Sequence, residues 1–223
     1  MDIQHSKELA ERARAGRFTF KGVIQDICNL NWSNLSQDSL INVAWVYYYF
    51  STQFRENLEL ALEAFPDDEK LKELDLGERN TDNLSPWPGV AAPGERLNHE
   101  EFMRRTLTLT PIAEERRLRL EALGQAYLAE IRAMDNYTRA ISLASYEDGG
   151  LEAVFEAILK APNWDGELLG AFKHFLVGHI ELDSDPDAGH GSLCRHVVPD
   201  DRILPLWSAF YRIFVEAAPE LKA

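Results

Sequence analysis

A chain of 223 residues, 45% hydrophobic and 10% aromatic, is long and apolar enough to bury a sizeable core. Its 37 acidic against 23 basic side chains give a formal net charge of -14, which repels phosphate backbones and anionic lipid and argues against nucleic acid or a membrane as a partner. The two cysteines, Cys28 and Cys194, are far apart and lack CxxC spacing, so neither a disulfide framework nor a thiolate zinc site is indicated and a reducing cytoplasm is the expected compartment.

The opening "MDIQHSKELAERARAG" lacks the basic start and apolar run of a signal peptide, and Ser6 can cap a short helix ending near Gly16. Ser39 precedes a segment in which Leu40, Val43, Tyr47, Phe50, Phe54 and Leu58 recur at three- and four-residue steps, predicting a helix to about Phe65. Its apolar run "LINVAWVYYYF" falls well short of the roughly 20 residues of a membrane span and reads as a buried helix. Pro66 ends it. "LKELDLGERNTDN" starts helical, and "LSPWPGVAAPGE" is an irregular excursion and the best candidate for a functional loop. Helical pattern resumes near Leu97, and Thr110-Pro111 predicts a restart with a capping hydroxyl ahead of proline at the first helical position. From Pro111 to about Tyr146 the periodicity predicts one long helix, with a bend near Asp135-Asn136, closed by Gly149-Gly150. Leu151 to Leu159, Gly166 to about Asp183, and a segment after Pro199 carrying Ile203, Leu206, Trp207, Phe210 and Phe214 complete the set. With no β-alternation and no internal repeat, the pattern predicts a single all-α domain of about seven helices over residues 1–223.

The residues able to carry chemistry are few. In "HFLVGHIELD" His179 and Asp183 are one helical turn apart on one face, so both can grip one metal ion, although such a pair is also a common surface ion pair. Phe175, Leu176, Val177, Ile180 and Leu182 make this helix apolar nearly all round, and an inward Asp183 would need a partner or a metal to offset its burial. His190, beyond the turn "SDPDAGHG", can fold back as a further ligand or remain an exposed loop histidine. Glu147 ends a long apolar-periodic stretch just before Gly149-Gly150, where it reaches either the core or solvent. His99 opens an amphipathic helix with Phe102, Met103 and Leu107 and is either near its buried face or a surface residue.

In this order the pieces resemble the heme-oxygenase-like diiron oxidases and oxygenases, relatives of the thiaminase and pyrroloquinoline-quinone-synthase fold. "HFLVGHIELDSDPDAGHG" is similar to the family's closing cluster, "YEDGGLEAVFEAIL" to the stretch with its central glutamate, "LNHEEFMRRTL" to the segment with its first histidine, and "LKELDLGERN" to its acid-Leu-Gly stretch. The resemblance implies a heme-oxygenase-like helical bundle and the metal ligands Glu73, His99, Glu147, His179, Asp183 and His190, with Asp75 and Glu78 as the alternatives to Glu73. It also implies two Fe(II)/Fe(III) ions, with manganese acceptable in one position, dioxygen as co-substrate, a small amino-acid-, fatty-acid- or natural-product-like substrate, and use of an external electron donor. A homodimer is compatible with such a fold. The family brings its first acid and first histidine close in sequence, whereas "TDNLSPWPGVAAPGE" separates them here. Three acids and three imidazoles suit two iron ions, which favour hard oxygen donors plus imidazole. Tyr47, Tyr48, Tyr127 and Tyr146 are candidates to line the cavity, with core packing as their ordinary role.

Three rivals stand beside this reading. A metal-free thiaminase-like hydrolase would use Cys194 as nucleophile, activated by His190 or His196. Heme binding would use His5, and a non-catalytic helical binding protein would need none of these residues.

Overall fold

The computed structural model of the chain describes residues 19–183 and 189–222, with the side chain of Asp183 outside the described set. The expected first helix after Ser6, His5 and residues 184–188 also lie outside the described residues.

Helix α1 (Phe20–Cys28) starts where the Thr19 side chain accepts from Gly22 N. Helix α2 (Gln37–Ala64) is capped by Ser36, three residues earlier than the sequence suggests, and Ser39 lies inside the first turn. Its 28 residues form the axis of the fold, with seven other helices packed against it. Helix α3 (Glu69–Arg79) is capped by Asp68, whose carboxylate accepts from Lys70 N and Leu71 N, and α4 (His99–Thr106) is capped by Asn98. These caps supply partners for amide groups that the first helical turn leaves unpaired.

The stretch read as one helix from Pro111 to Tyr146 is three. Helix α5 (Glu114–Arg132) begins three residues after Pro111, and Ala113 caps it without a side-chain bond, so Thr110-Pro111 is not the helix start. The Asp135 carboxylate accepts from Thr138 N at 2.9 Å and opens α6 (Asn136–Ile141). Ser142 then interrupts the run, its Oγ donating to Arg139 O at 2.6 Å, and α7 (Leu143–Glu147) follows. A buried polar network explains this break. Asn57 of α2 donates to Ser142 Oγ at 3.1 Å, and Arg139 Nε donates to Asn57 Oδ1 at 3.0 Å. Gly149, at φ +86°, ends α7 in a conformation that side chains disfavour, and α8 (Gly150–Ile158) departs from it. Helices α9 (Glu167–Asp183), α10 (His190–Cys194) and α11 (Leu204–Ala217) complete a set of eleven among the described residues, against the seven or so expected, and three short 3-10 turns accompany them. The described residues contain no β-strand, only two isolated bridges, Thr81 with Leu97 and Trp87 with Ala91.

One cluster of buried apolar side chains draws on every helix. At its centre Tyr47 touches Phe50, Phe155, Phe172 and Phe175 with ring centroids 5.5 to 5.7 Å apart, and Phe50 stacks on Phe210 at 4.2 Å. Each such ring contributes about 1.5–3 kcal/mol by burial, which holds α2, α8, α9 and α11 together and fixes where the ends of the shorter helices come to rest. Among the described residues no helix is long and apolar enough to cross a membrane.

Candidate metal centre

Five titratable side chains meet at one interior point, each between 4% and 8% exposed: Glu78, His99, Glu147, His179 and His190. Four arrive at helix ends. Glu78 is the penultimate residue of α3, His99 the first of α4, Glu147 the last of α7 and His190 the first of α10, while His179 projects from within α9. Glu78 joins the cluster because Leu71, Leu74 and Glu78 form the buried face of α3.

Glu78 bridges two groups. Its Oε2 lies 2.6 Å from His99 Nδ1, and that nitrogen lies 2.9 Å from His179 Nε2. Its Oε1 lies 2.9 Å from His190 Nδ1, which lies 3.3 Å from Glu147 Oε2. Within each group, Glu78–His99–His179 and Glu78–Glu147–His190, the three ligand atoms lie within 4.8 Å of one another, and each group can hold a metal ion.

The first group fits a cation better than it fits itself. The carbonyl of Phe175 can only accept, so His179 Nδ1 donates to it at 2.8 Å. Burial and the neighbouring His99 hold the His179 imidazole down to about 3, so it is neutral and Nε2 carries a lone pair. That lone pair faces His99 Nδ1, which also faces the Glu78 carboxylate. One proton on His99 Nδ1 can point at only one of the two acceptors, whereas a cation among the three satisfies all of them. An imidazole whose outer N–H is committed to a backbone carbonyl is also the usual arrangement of a metal-ligating histidine.

A proton on His190 offsets part of the charge of the second group. Burial opposes a charge on His190, but Glu147 and Glu78 outweigh it and push the imidazolium up to about 11. Burial likewise opposes ionisation of Glu78, yet His99 and His190 hold its carboxyl well below the usual range. Burial lifts Glu147 above it despite the His190 contact.

An apolar cavity of about 30 Å³, room for one or two waters, opens onto Glu78, His99, Glu147 and His179. Phe50, Phe54, Leu58, Leu151 and Phe175 line it, and Tyr47 is the lining member of the four tyrosines considered above. Tyr127 and Tyr146 instead serve the buried Gln53, which donates to Tyr146 at 2.9 Å and accepts from Tyr127. Arg55, Arg79 and Glu100 form the more exposed part of the lining; Arg55 pairs with Glu100 and with Glu59.

The structure therefore brings His99, Glu147, His179 and His190 together and leaves Glu73 out. Glu73 is exposed on the outer face of α3, and Asp75 pairs with Arg79. Glu78, the third alternative, is the acid of α3 that lies in the cluster. Leu76 is 61% exposed, so aligning on Leu76-Gly77 picks the wrong face of the helix. Asp183 lies on α9 one turn beyond His179, with its side chain outside the described residues. Cys194 is fully buried, its Sγ 3.6 Å from His190 O within its own helix, and His196 is turned to Asp68, so the thiol is not presented to the cavity. No family model matches the chain, and no curated protein and no solved structure is found to be similar to it.

Proposed function

We propose that the chain is a non-heme diiron oxidase or oxygenase of the heme-oxygenase-like kind, using dioxygen on a small organic substrate. The observation that carries this reading is the sharing of one buried carboxylate, Glu78, by two three-residue groups. Glu78, His99 and His179 would hold one iron and Glu78, Glu147 and His190 the other, with Asp183 as a further ligand from α9. A set of carboxylates and imidazoles drawn from several helices suits iron, with manganese acceptable in one position. Bound iron would supply the oxidising power by reducing dioxygen, with an external donor furnishing electrons where the outcome requires them.

The remaining work falls to the protein. Phe50, Phe54, Leu58 and Phe175 make the wall beside the cluster apolar and would limit the water that reaches it. Phe175 O fixes the tautomer of His179, and the Glu78 carboxylate stays ionised to hold both groups together.

Anaerobic titration with Fe(II), followed by oxygen exposure and Mössbauer spectroscopy, tests the reading. Two irons per chain with coupled signals are expected, and Cys194→Ser should change neither. One iron or none would overturn the diiron reading, and a hydrolytic activity lost in Cys194→Ser would replace it with the cysteine mechanism.

A further inference from the structure

The excursion between α3 and α4 separates Glu78 from His99 in the chain and returns to the cluster at both ends. Thr81 N donates to Leu97 O at 3.2 Å and Leu97 N to Thr81 O at 2.9 Å, closing the loop beside the start of α4. Asn83 N donates to Thr81 Oγ1 at 3.3 Å. Leu84 packs over Gly178, where an added Cβ would lie 2.6 Å from Leu84 Cδ2, so a notch one residue before His179 receives the loop. His174 Nε2 donates to Leu84 O at 2.9 Å, and Trp87 stacks on the His174 ring at 4.6 Å. Fastened in this way to α9, the loop brings Asn83 Oδ1 to 3.3 Å from His99 Nε2.

We infer that Asn83 is a positioning residue for the metal centre: by accepting from His99 Nε2–H, it keeps the lone pair of His99 on Nδ1, facing Glu78 and His179. The inference rests on the metal-centre reading above. A neutral imidazole carries one proton, and with that proton on Nδ1 the ring offers the cluster a donor in place of a ligand. The Asn83 oxygen can only accept and so selects the ligating tautomer, as Phe175 O does for His179 through the opposite nitrogen. The two imidazoles thus present different ring nitrogens to one point, each held by an acceptor on its far side. Asn83 is exposed on its outer side, so its replacement leaves the core intact.

Zn(II) titration of the full chain against a competing chelator, with wild type, Asn83→Ala and Asn83→Asp, tests this. Asn83→Ala is expected to weaken one of two zinc sites by about 10–100-fold and leave the other unchanged. Asn83→Asp, which keeps an acceptor oxygen, should bind within about threefold of wild type or tighter, since a carboxylate supports a ligating imidazole at least as well. In zinc-loaded wild type, nitrogen-15 NMR should find His99 protonated at Nε2. Equal affinities for wild type and Asn83→Ala, or Asn83→Asp as weak as Asn83→Ala, would overturn the role of Asn83 alone. A wild-type chain that takes up no zinc would overturn the metal centre itself.

Discussion

The two halves of the cluster share Glu78 and differ in what they ask of a cation. In the half formed with His99 and His179, acceptors face one another: His179 is neutral, with its only proton committed to Phe175 O, and a single proton cannot satisfy both of the groups turned towards His99 Nδ1. In the half formed with Glu147 and His190, an imidazolium lies between two carboxylates and already neutralises part of their charge. Their scaffolds differ as well. His179 stands inside the 17-residue α9, packed against Phe175 with ring centroids 4.1 Å apart, whereas Glu147 and His190 sit on the five-residue helices α7 and α10. The neutral His179 therefore leaves the first half ready for a cation, whereas in the second the proton that Glu78 and Glu147 hold on His190 must leave before a metal binds.

The largest effect is expected where the halves join. Glu78→Ala should weaken both sites by more than the roughly 100-fold ceiling typical of groups that merely support ligands, and calorimetric titration with Zn(II) should find no tight site. A single tight site surviving in that variant would break the comparison. Next comes Gly191→Ala. A Cβ there would lie 2.8 Å from Glu147 O, so α10 must move away from α7 and carry His190 with it. Elemental analysis after desalting should fall from two metals to one per chain, and loss of both would show that the halves are not separable. A smaller effect separates the halves by pH. A proton on His190, held up to about 11, competes with metal, so affinity in its half should rise by about tenfold per pH unit from pH 7 to 9. His179, held down to about 3, is already bare, and its half should change far less over the same range. Chelator competition at three pH values reads both slopes, and equal slopes would contradict the assignment of the proton. Glu73→Ala should have the smallest effect, with metal content unchanged and stability within about 0.5 kcal/mol of wild type, as for an exposed side chain away from the cluster.

Some of this was legible in the sequence and some was not. The all-helical class followed from three- and four-residue apolar spacing, which α2 and α11 display plainly. His179 and Glu147 could be singled out because each breaks an otherwise apolar stretch, where a polar group needs a partner. Glu78 was equally readable, since Leu71, Leu74 and Glu78 are spaced as one helix face, but Glu73 was preferred and the Leu76-Gly77 pair pointed instead to Asp75, although Leu76 faces solvent. The division of α5, α6 and α7 was hidden because its cause is tertiary: Asn57, from a helix some 80 residues earlier, bonds Ser142 and Arg139 where the chain pauses. Asn83 carried no periodic signal, and its place depends on a loop docked on α9 through Gly178 and His174.

Anomalous diffraction at the iron edge, from crystals loaded with Fe(II) without oxygen, tests the central claim most directly. Two peaks per chain are expected, one among Glu78, His99 and His179 and one among Glu78, Glu147 and His190. Fully loaded crystals showing no peak at Glu78, or a single peak that leaves one of these groups without metal, would contradict it.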